Sequence, residues 1–336
     1  MPPSEEDEDE ESSAAHGDEE DLSRREFVIL LARDVAIAVI VVGTILGAIF
    51  AYAQVWPPMV VVESGSMQHS DTRSYLNVVD TGDLVFLRSV GSHTNVVTYV
   101  EGRRSGYETY SNYGDVIIFH QPGTPPGTTP IIHRPIIYVE APSSTSFGGV
   151  DAPSLASWPD TWSATHPDGS SAGGDPHGLG SITIRVRTWF GGVEGTADIT
   201  YPGLGSITTS GFLTKGDHNR DRDWWGRPVA DTEIVGKAWG ELPWIGLIKL
   251  TAWPTTGCCR SGWGSTGPSG APMNSWDSLT TSLVLIPLGI FLADHGFAFA
   301  ENLWKAYRTR RKAVVSDDAD EASAAEDPPT ESDGPR

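Results

Sequence analysis

The sequence predicts a mainly β domain carried between two apolar helices. Three features predict it. Two long apolar runs occupy residues 35–53 and 279–293, short β-branched runs recur between them, and excess charge is concentrated at the ends of the chain.

Residues 35–53 are nineteen without a charge, close to the roughly 20 a helix needs to cross the hydrocarbon core of a bilayer. The run lies late and is followed by Gln54-Val55-Trp56-Pro57 instead of a small-residue cleavage site. This favours an uncleaved transmembrane anchor over 27–53 rather than a removable leader. The second run reaches spanning length only with Asp294, His295 and residues 296–300, so 279–300 is a candidate second transmembrane helix, a buried or interfacial helix being the other reading. Arg24, Arg25 and Arg33 flank the first run, and Lys305, Arg308, Arg310, Arg311 and Lys312 follow the second. The excess of positive charge predicts both ends in the cytoplasm and residues 54–278 outside it, a multi-pass arrangement. Tyr52, Trp56, Trp276 and Trp304 then fall where amphipathic rings favour the membrane interface.

The formal charge of -21 resolves into its parts along the chain. Residues 1–22 hold eleven carboxylates and residues 313–336 hold eight, whereas 23–312 carry 25 acids against 22 Lys and Arg. The near-neutral middle has no electrostatic footprint for nucleic acid. Self-repelling runs such as 5–11 predict a disordered acidic tail over 1–26 and a basic, then acidic, tail over 301–336. Cys258 and Cys259 are adjacent, a geometry that argues against an ordinary structural disulfide and offers no disulfide framework or zinc site.

Between the apolar runs, Met59-Val60-Val61-Val62, Leu84-Val85-Phe86-Leu87, Val116-Ile117-Ile118-Phe119, Ile136-Ile137-Tyr138-Val139 and Ile182-Thr183-Ile184-Arg185-Val186 read as strands, punctuated by Gly, Pro and Asp. Residues 141–181, rich in Ser, Gly, Pro and Asp without periodicity, read as a long surface insertion. Its His166, Asp168, Asp175 and His177 lack the rigid spacing of a metal site and read as a solvated loop.

Three segments supply residue types with chemistry. Glu63-Ser64-Gly65-Ser66-Met67 follows the first apolar run and one short strand, and by itself reads as a turn. Ile131-Ile132-His133-Arg134 sets an imidazole in an apolar run, where a satisfied core histidine is the default and a partly desolvated base is the alternative. Thr214-Lys215-Gly216-Asp217-His218-Asn219, continuing to Asp221 and Asp223, offers carboxylates to orient that ring. In this order Ser, His and Asp are the nucleophile, base and orienting acid of acyl transfer. Pro135 beside the His removes a ladder donor, so that strand is expected at an edge or at a bulge.

The chain resembles type I signal peptidases of the archaeal and endoplasmic-reticulum Ser-His type. Four ordered segments carry the resemblance: Ser64 to Met67, Gly114-Asp115-Val116-Ile117-Ile118-Phe119, Ile132-His133-Arg134 and Thr214-Lys215-Gly216-Asp217. Val235-Gly236-Lys237-Ala238-Trp239-Gly240 and Leu242-Pro243-Trp244-Ile245-Gly246 are similar to the ending strand and turn. The resemblance covers roughly residues 27–250 and implies a signal-peptidase-like β-rich catalytic domain on the membrane surface. It implies Ser66 as nucleophile, His133 as general base, and an oxyanion site formed by the Ser66 N–H with the Ser64 hydroxyl. The acids map to Asp217 and to either Asp221 or Asp223, with Asp223 the favoured catalytic acid and Asp217 supporting. Lys215 is the competing base. The implied substrates are signal peptides of secretory precursors cut after small-x-small sites. Membrane lipid is an implied partner, the protein-export machinery a further candidate, and no cofactor or metal is required. The alternatives are a related membrane protease acting on another precursor, or a surface-anchored binding protein.

Overall fold

The computed structural model describes residues 6–125, 127–142, 148–254, 258–260, 262–266 and 270–324. The extreme ends of the expected acidic tails, 1–5 and 325–336, and residues 143–147 of the expected insertion lie outside the described residues. The chain divides into two units, Met1–Trp276 and Asp277–Arg336.

The first apolar run belongs to a helix, α1 (Glu6–Ala53), whose stretch Arg25–Ala53 is long and apolar enough to cross a membrane. Its backbone is helical from Glu6 on, where the sequence reading expects disorder. Glu and Ala are good helix formers, and acids near a helix start face the positive end of its dipole. The exposed Val39 and Ile40 show that this surface is not covered by protein. The helix joins the β domain at its last turn: the Ser89 N–H donates to the Ala53 carbonyl at 2.8 Å, and Tyr52 packs on Trp239. The last helix, α4 (Met273–Ala324), has a spanning-length apolar stretch at Met273–Ala293. Spanning length is thus reached by extension ahead of Leu279, without Asp294 and the residues after it.

The chain between these helices forms three antiparallel sheets. Strands β1 (Met59–Val61), β2 (Leu84–Arg88), β5 (Ile117–Phe119), β6 (Ile131–Val139), β10 (Gly211–Lys215) and β11 (Ile234–Leu242) form one sheet in the order β1-β2-β11-β5-β6-β10. Short β3 (Glu108–Thr109) and β4 (Asn112–Tyr113) pair as a hairpin, and β7 (Trp162–Thr165), β8 (Ser181–Thr188) and β9 (Gly195–Tyr201) form a three-stranded sheet. Two short helices complete the domain, α2 (Tyr99–Ser105), which a Thr98/Glu101 capping box opens, and α3 (Leu247–Ala252).

Strand β6 organises the large sheet. Its residues Ile131 to His133 pair with β5, and its ladder to β10 begins at Arg134 opposite Lys215. The changeover falls at Pro135, where the β10 ladder shifts register between Leu213 and Thr214. The strand is internal, and the proline sits at an irregularity in the ladder, the second of the two placements expected for it.

The segment expected as a surface insertion is corrected as well. Val150, Ala152, Leu155 and Leu179 are fully buried in one core with Ile137 and Val139 of β6 and Ile182 and Ile184 of β8. Val150 and Leu179 exchange both backbone hydrogen bonds, and Gly149 lies so close to the Gly178 backbone that a Cβ there would sit 2.4 Å from it. Sparse apolar residues brought together by backbone pairing make this core, which is why no periodicity announces it. The polar residues singled out in the segment shape its turns. His166 Nδ1 bonds the Gly178 carbonyl at 2.9 Å, Asp168 accepts from Ser170, and Asp175 accepts from the His177 N–H. The sulfurs of Cys258 and Cys259 are joined, contrary to the sequence reading, but a bond between neighbours ties no distant segments together.

Behind β1, Asp80 and Asp83 are buried in the turn leading to β2, facing Glu241 at the end of β11. Asp83 accepts from the N–H groups of Asp80 and Trp244, and Glu241 accepts from that of Asn77. Burial, reinforced by mutual repulsion, pushes Asp80 up to about 7 and Asp83 well above its ordinary range, and burial pushes Glu241 up to about 7. The folded protein therefore retains protons that the unfolded chain releases near pH 4. Their stabilisation is full below about pH 4 and lost as pH rises through about 7. The melting temperature should accordingly be higher at pH 5 than at pH 8, with Asp80 alone contributing about 2–3 kcal/mol to the difference. Asp80→Asn should flatten that slope. An equal slope in the variant removes Asp80 as its source.

Candidate active site

Ser66 occupies a single 3-10 turn, Gly65–Met67, that follows β1. The turn is fixed from both sides. Val62 exchanges backbone hydrogen bonds with Gly82 and Asp83, and buried Gln68 accepts from the Thr81 N–H and hydroxyl. Met67 and Gln68 are buried while Ser66 stays partly open, and its Oγ lies 3.4 Å from that of Ser64.

His133 sits on β6 opposite Ile117 and is 6% exposed. Its Nδ1 lies 2.5 Å from Asp223 Oδ2. A carboxylate only accepts, so Nδ1 carries the proton and Nε2 of the neutral ring is left with a lone pair. Asp223 is itself anchored to β10: its N–H donates to the Thr214 carbonyl at 3.1 Å, and the Thr214 hydroxyl donates to Oδ2 at 2.9 Å.

Asp217 has a different role. It is buried and takes a two-pronged hydrogen bond from Arg134, Nε to Oδ1 at 2.9 Å and Nη2 to Oδ2 at 2.7 Å, with His69 Nε2 at 3.3 Å. Burial alone would raise its carboxyl, but the Arg134 guanidinium and His69 override it and hold the group far below the usual range. Asp221 is exposed. Of the three candidate acids, only Asp223 touches His133.

Lys215 points its ammonium at the Gly216 carbonyl (2.8 Å) and the Thr188 hydroxyl (3.1 Å), away from the role of a base. Burial lowers it to about 8. Gly216 joins the parts of the site: a Cβ on it would lie 2.8 Å from His133 Nε2 and 2.5 Å from the Ser66 carbonyl. That carbonyl accepts from the His218 N–H at 2.9 Å, and His218 Nδ1 reaches the Gln68 carbonyl.

Ser66 and His133 share the wall of one groove of about 650 Å³, lined by β1 and the Glu63-Ser64 segment on one side and by residues 129–133 on the other. Val60, Val62, Ile118 and Ile132 make it apolar, and a Glu63–Lys249 ion pair at 2.6 Å closes part of its rim. Ser66 and His133 line this groove with no hydrogen bond between them. Among the described residues no group of three or more His, Cys, Asp or Glu is arranged to hold a metal ion.

Arg134, His69 and Thr214 are absent from the sequence-level assignment. For Arg134 a signal exists, a cation in an otherwise apolar run with a carboxylate demanded somewhere opposite; for His69 and Thr214 none does. No family model matches the chain, nor does any curated protein or solved structure.

Proposed function

We propose that the chain is a membrane-anchored serine endopeptidase of the signal-peptidase type, removing signal peptides from exported precursors on the outer side of the membrane. The observation that carries this reading is the Asp223-oriented His133 sharing an apolar groove with Ser66, directly after a helix of membrane-spanning length. The basic residues beyond both apolar runs favour cytoplasmic ends.

β1 is the terminal strand of its sheet, and Ile131 to His133 lack a β10 partner. An extended substrate can therefore add main-chain hydrogen bonds in the groove between them. Small side chains before the cut suit an apolar groove flanked so closely by backbone. Ser66 Oγ attacks the carbonyl carbon as His133 Nε2 takes its proton. The oxyanion receives hydrogen bonds from the Ser66 N–H and the Ser64 hydroxyl. Collapse breaks the C–N bond, His133 returns the proton to the departing amine, and water then hydrolyses the Ser66 ester by the same route.

Incubating a precursor bearing a small-x-small site with membranes that hold this chain and no other peptidase tests the reading. Mass spectrometry should find a new N-terminus immediately after that site. An intact precursor would overturn the proposed activity, and a cut elsewhere would point to a membrane protease of other specificity.

A further inference from the structure

The loop between β10 and Asp223 is held by the three-stranded sheet. Lys215, 1% exposed, donates to the Gly216 carbonyl, to the Thr188 hydroxyl and, at 3.5 Å, to the Asp217 carbonyl. Thr188, the last residue of β8, passes its own proton to the Asp217 carbonyl at 2.8 Å, and the Trp189 N–H donates to the same oxygen at 3.0 Å. The Trp189 ring stacks on His69, centroids 3.6 Å apart and planes 3° from parallel, and His69 in turn contacts Asp217. From β9, the buried Tyr201 hydroxyl donates to the Thr214 carbonyl at 2.9 Å. All of these contacts converge on the stretch that sets Gly216 under His133 Nε2 and Thr214 under Asp223.

We propose that Lys215 and Thr188 are positioning residues. The ammonium and the hydroxyl pin the Gly216 and Asp217 carbonyls, and the three-stranded sheet thereby fixes the geometry of His133 against Ser66. The inference rests on the assignment of Ser66 and His133 given above. Of the three contacts, the one to the Gly216 carbonyl at 2.8 Å is the shortest, whereas the Asp217 carbonyl is also served by the Thr188 hydroxyl and the Trp189 N–H. Asp217, Asp223 and Asp221 favour the charged lysine; burial and Arg134 oppose it, and the balance falls at about 8. Hydrogen bonds to charged groups are strong enough that losing one from a tightly positioned site slows turnover by about 10- to 100-fold.

The test is cleavage of the small-x-small precursor by the full-length chain in vesicles, for wild type, Thr188→Val, Lys215→Met and Lys215→Arg, with Ser66→Ala alongside. Thr188→Val should lower kcat by about 10-fold and Lys215→Met by about 100-fold, with KM within about twofold. Lys215→Arg, which keeps a charged donor, should recover part of the rate lost in Lys215→Met. Should Lys215→Met not fold, Thr188→Val, a near-isosteric change, decides the matter. An unchanged kcat in Thr188→Val, or a loss confined to KM, overturns the positioning role. Equal cleavage by wild type and Ser66→Ala would instead overturn the assigned site, and the positioning role with it.

Discussion

Asp223→Asn is expected to slow precursor cleavage by about 10³- to 10⁴-fold with little change in melting temperature, alongside complete loss in Ser66→Ala. The asparagine has nearly the shape of the aspartate, and the Thr214 hydroxyl, which shares Oδ2 with His133, can donate to an amide oxygen there or turn to accept from an amide N–H₂. Facing His133 Nδ1, however, it presents an N–H₂ group or a neutral carbonyl in place of a carboxylate. The first selects the wrong imidazole tautomer, with the proton on Nε2, and the second no longer stabilises the imidazolium that forms as Ser66 attacks. Asp217→Asn should behave in the opposite sense: its carboxylate pairs with Arg134 and His69, so its loss lowers stability first. The check is kcat beside thermal unfolding for the two variants. Comparable kcat losses at comparable stability would mean that Asp217 shares the role assigned to Asp223.

The pairing of Asp223 with His133 illustrates what is legible in this sequence. Residue types and chain order indicate a Ser, a His and a run of carboxylates, because acyl transfer needs those groups. They do not rank Asp217 against Asp223, since the ranking depends on Arg134, which competes for the nearer acid. A cation adjacent to the base, on the opposite face of the same strand, claims Asp217 and leaves Asp223 for the imidazole. Strand alternation makes that division natural once β6 is known to be a strand, but which carboxylate lies on which side is set by the turn between Gly216 and Asp223.

The fold shows the same contrast. Strands β1, β2, β5 and β8 and the second half of β6 are visible as β-branched or alternating runs, β5 because both its sides are buried and β2 and β8 because one side is, whereas β11 is legible only through the family resemblance. Gly195–Tyr201 is missed: four of its seven residues are exposed Gly, Thr and Asp, and the core side is Ala197, Ile199 and Tyr201. The cluster of Asp80, Asp83 and Glu241 has no sequence signature, for Glu241 reaches the others only through the β2–β11 ladder. Long-range pairing creates these environments, and composition carries no trace of it.

Arg134→Met should destabilise the β domain by about 3–5 kcal/mol at neutral pH, a fall of roughly 10 °C in melting temperature. Arg134 is fully buried, and besides Asp217 its Nη1 lies within 3.4 Å of the carbonyls of Asn112, Tyr113, Gly114 and Asp115. The pair itself is weak grounds for net stability, since desolvating two ions offsets much of their attraction. Removing one partner is different, because the other remains buried and charged. With the guanidinium gone, burial dominates the Asp217 carboxyl and drives it to take up a proton. The penalty of Arg134→Met should therefore be largest at neutral and alkaline pH and shrink as pH falls toward 4, where protonation neutralises the stranded acid. Adding Asp217→Asn to Arg134→Met should restore part of the loss, and the double-mutant cycle should give a coupling of about 1–3 kcal/mol. A penalty independent of pH would show that the carbonyl contacts and not the ion pair hold this part of the site together, and an Arg134→Met protein as stable as wild type would show that neither does.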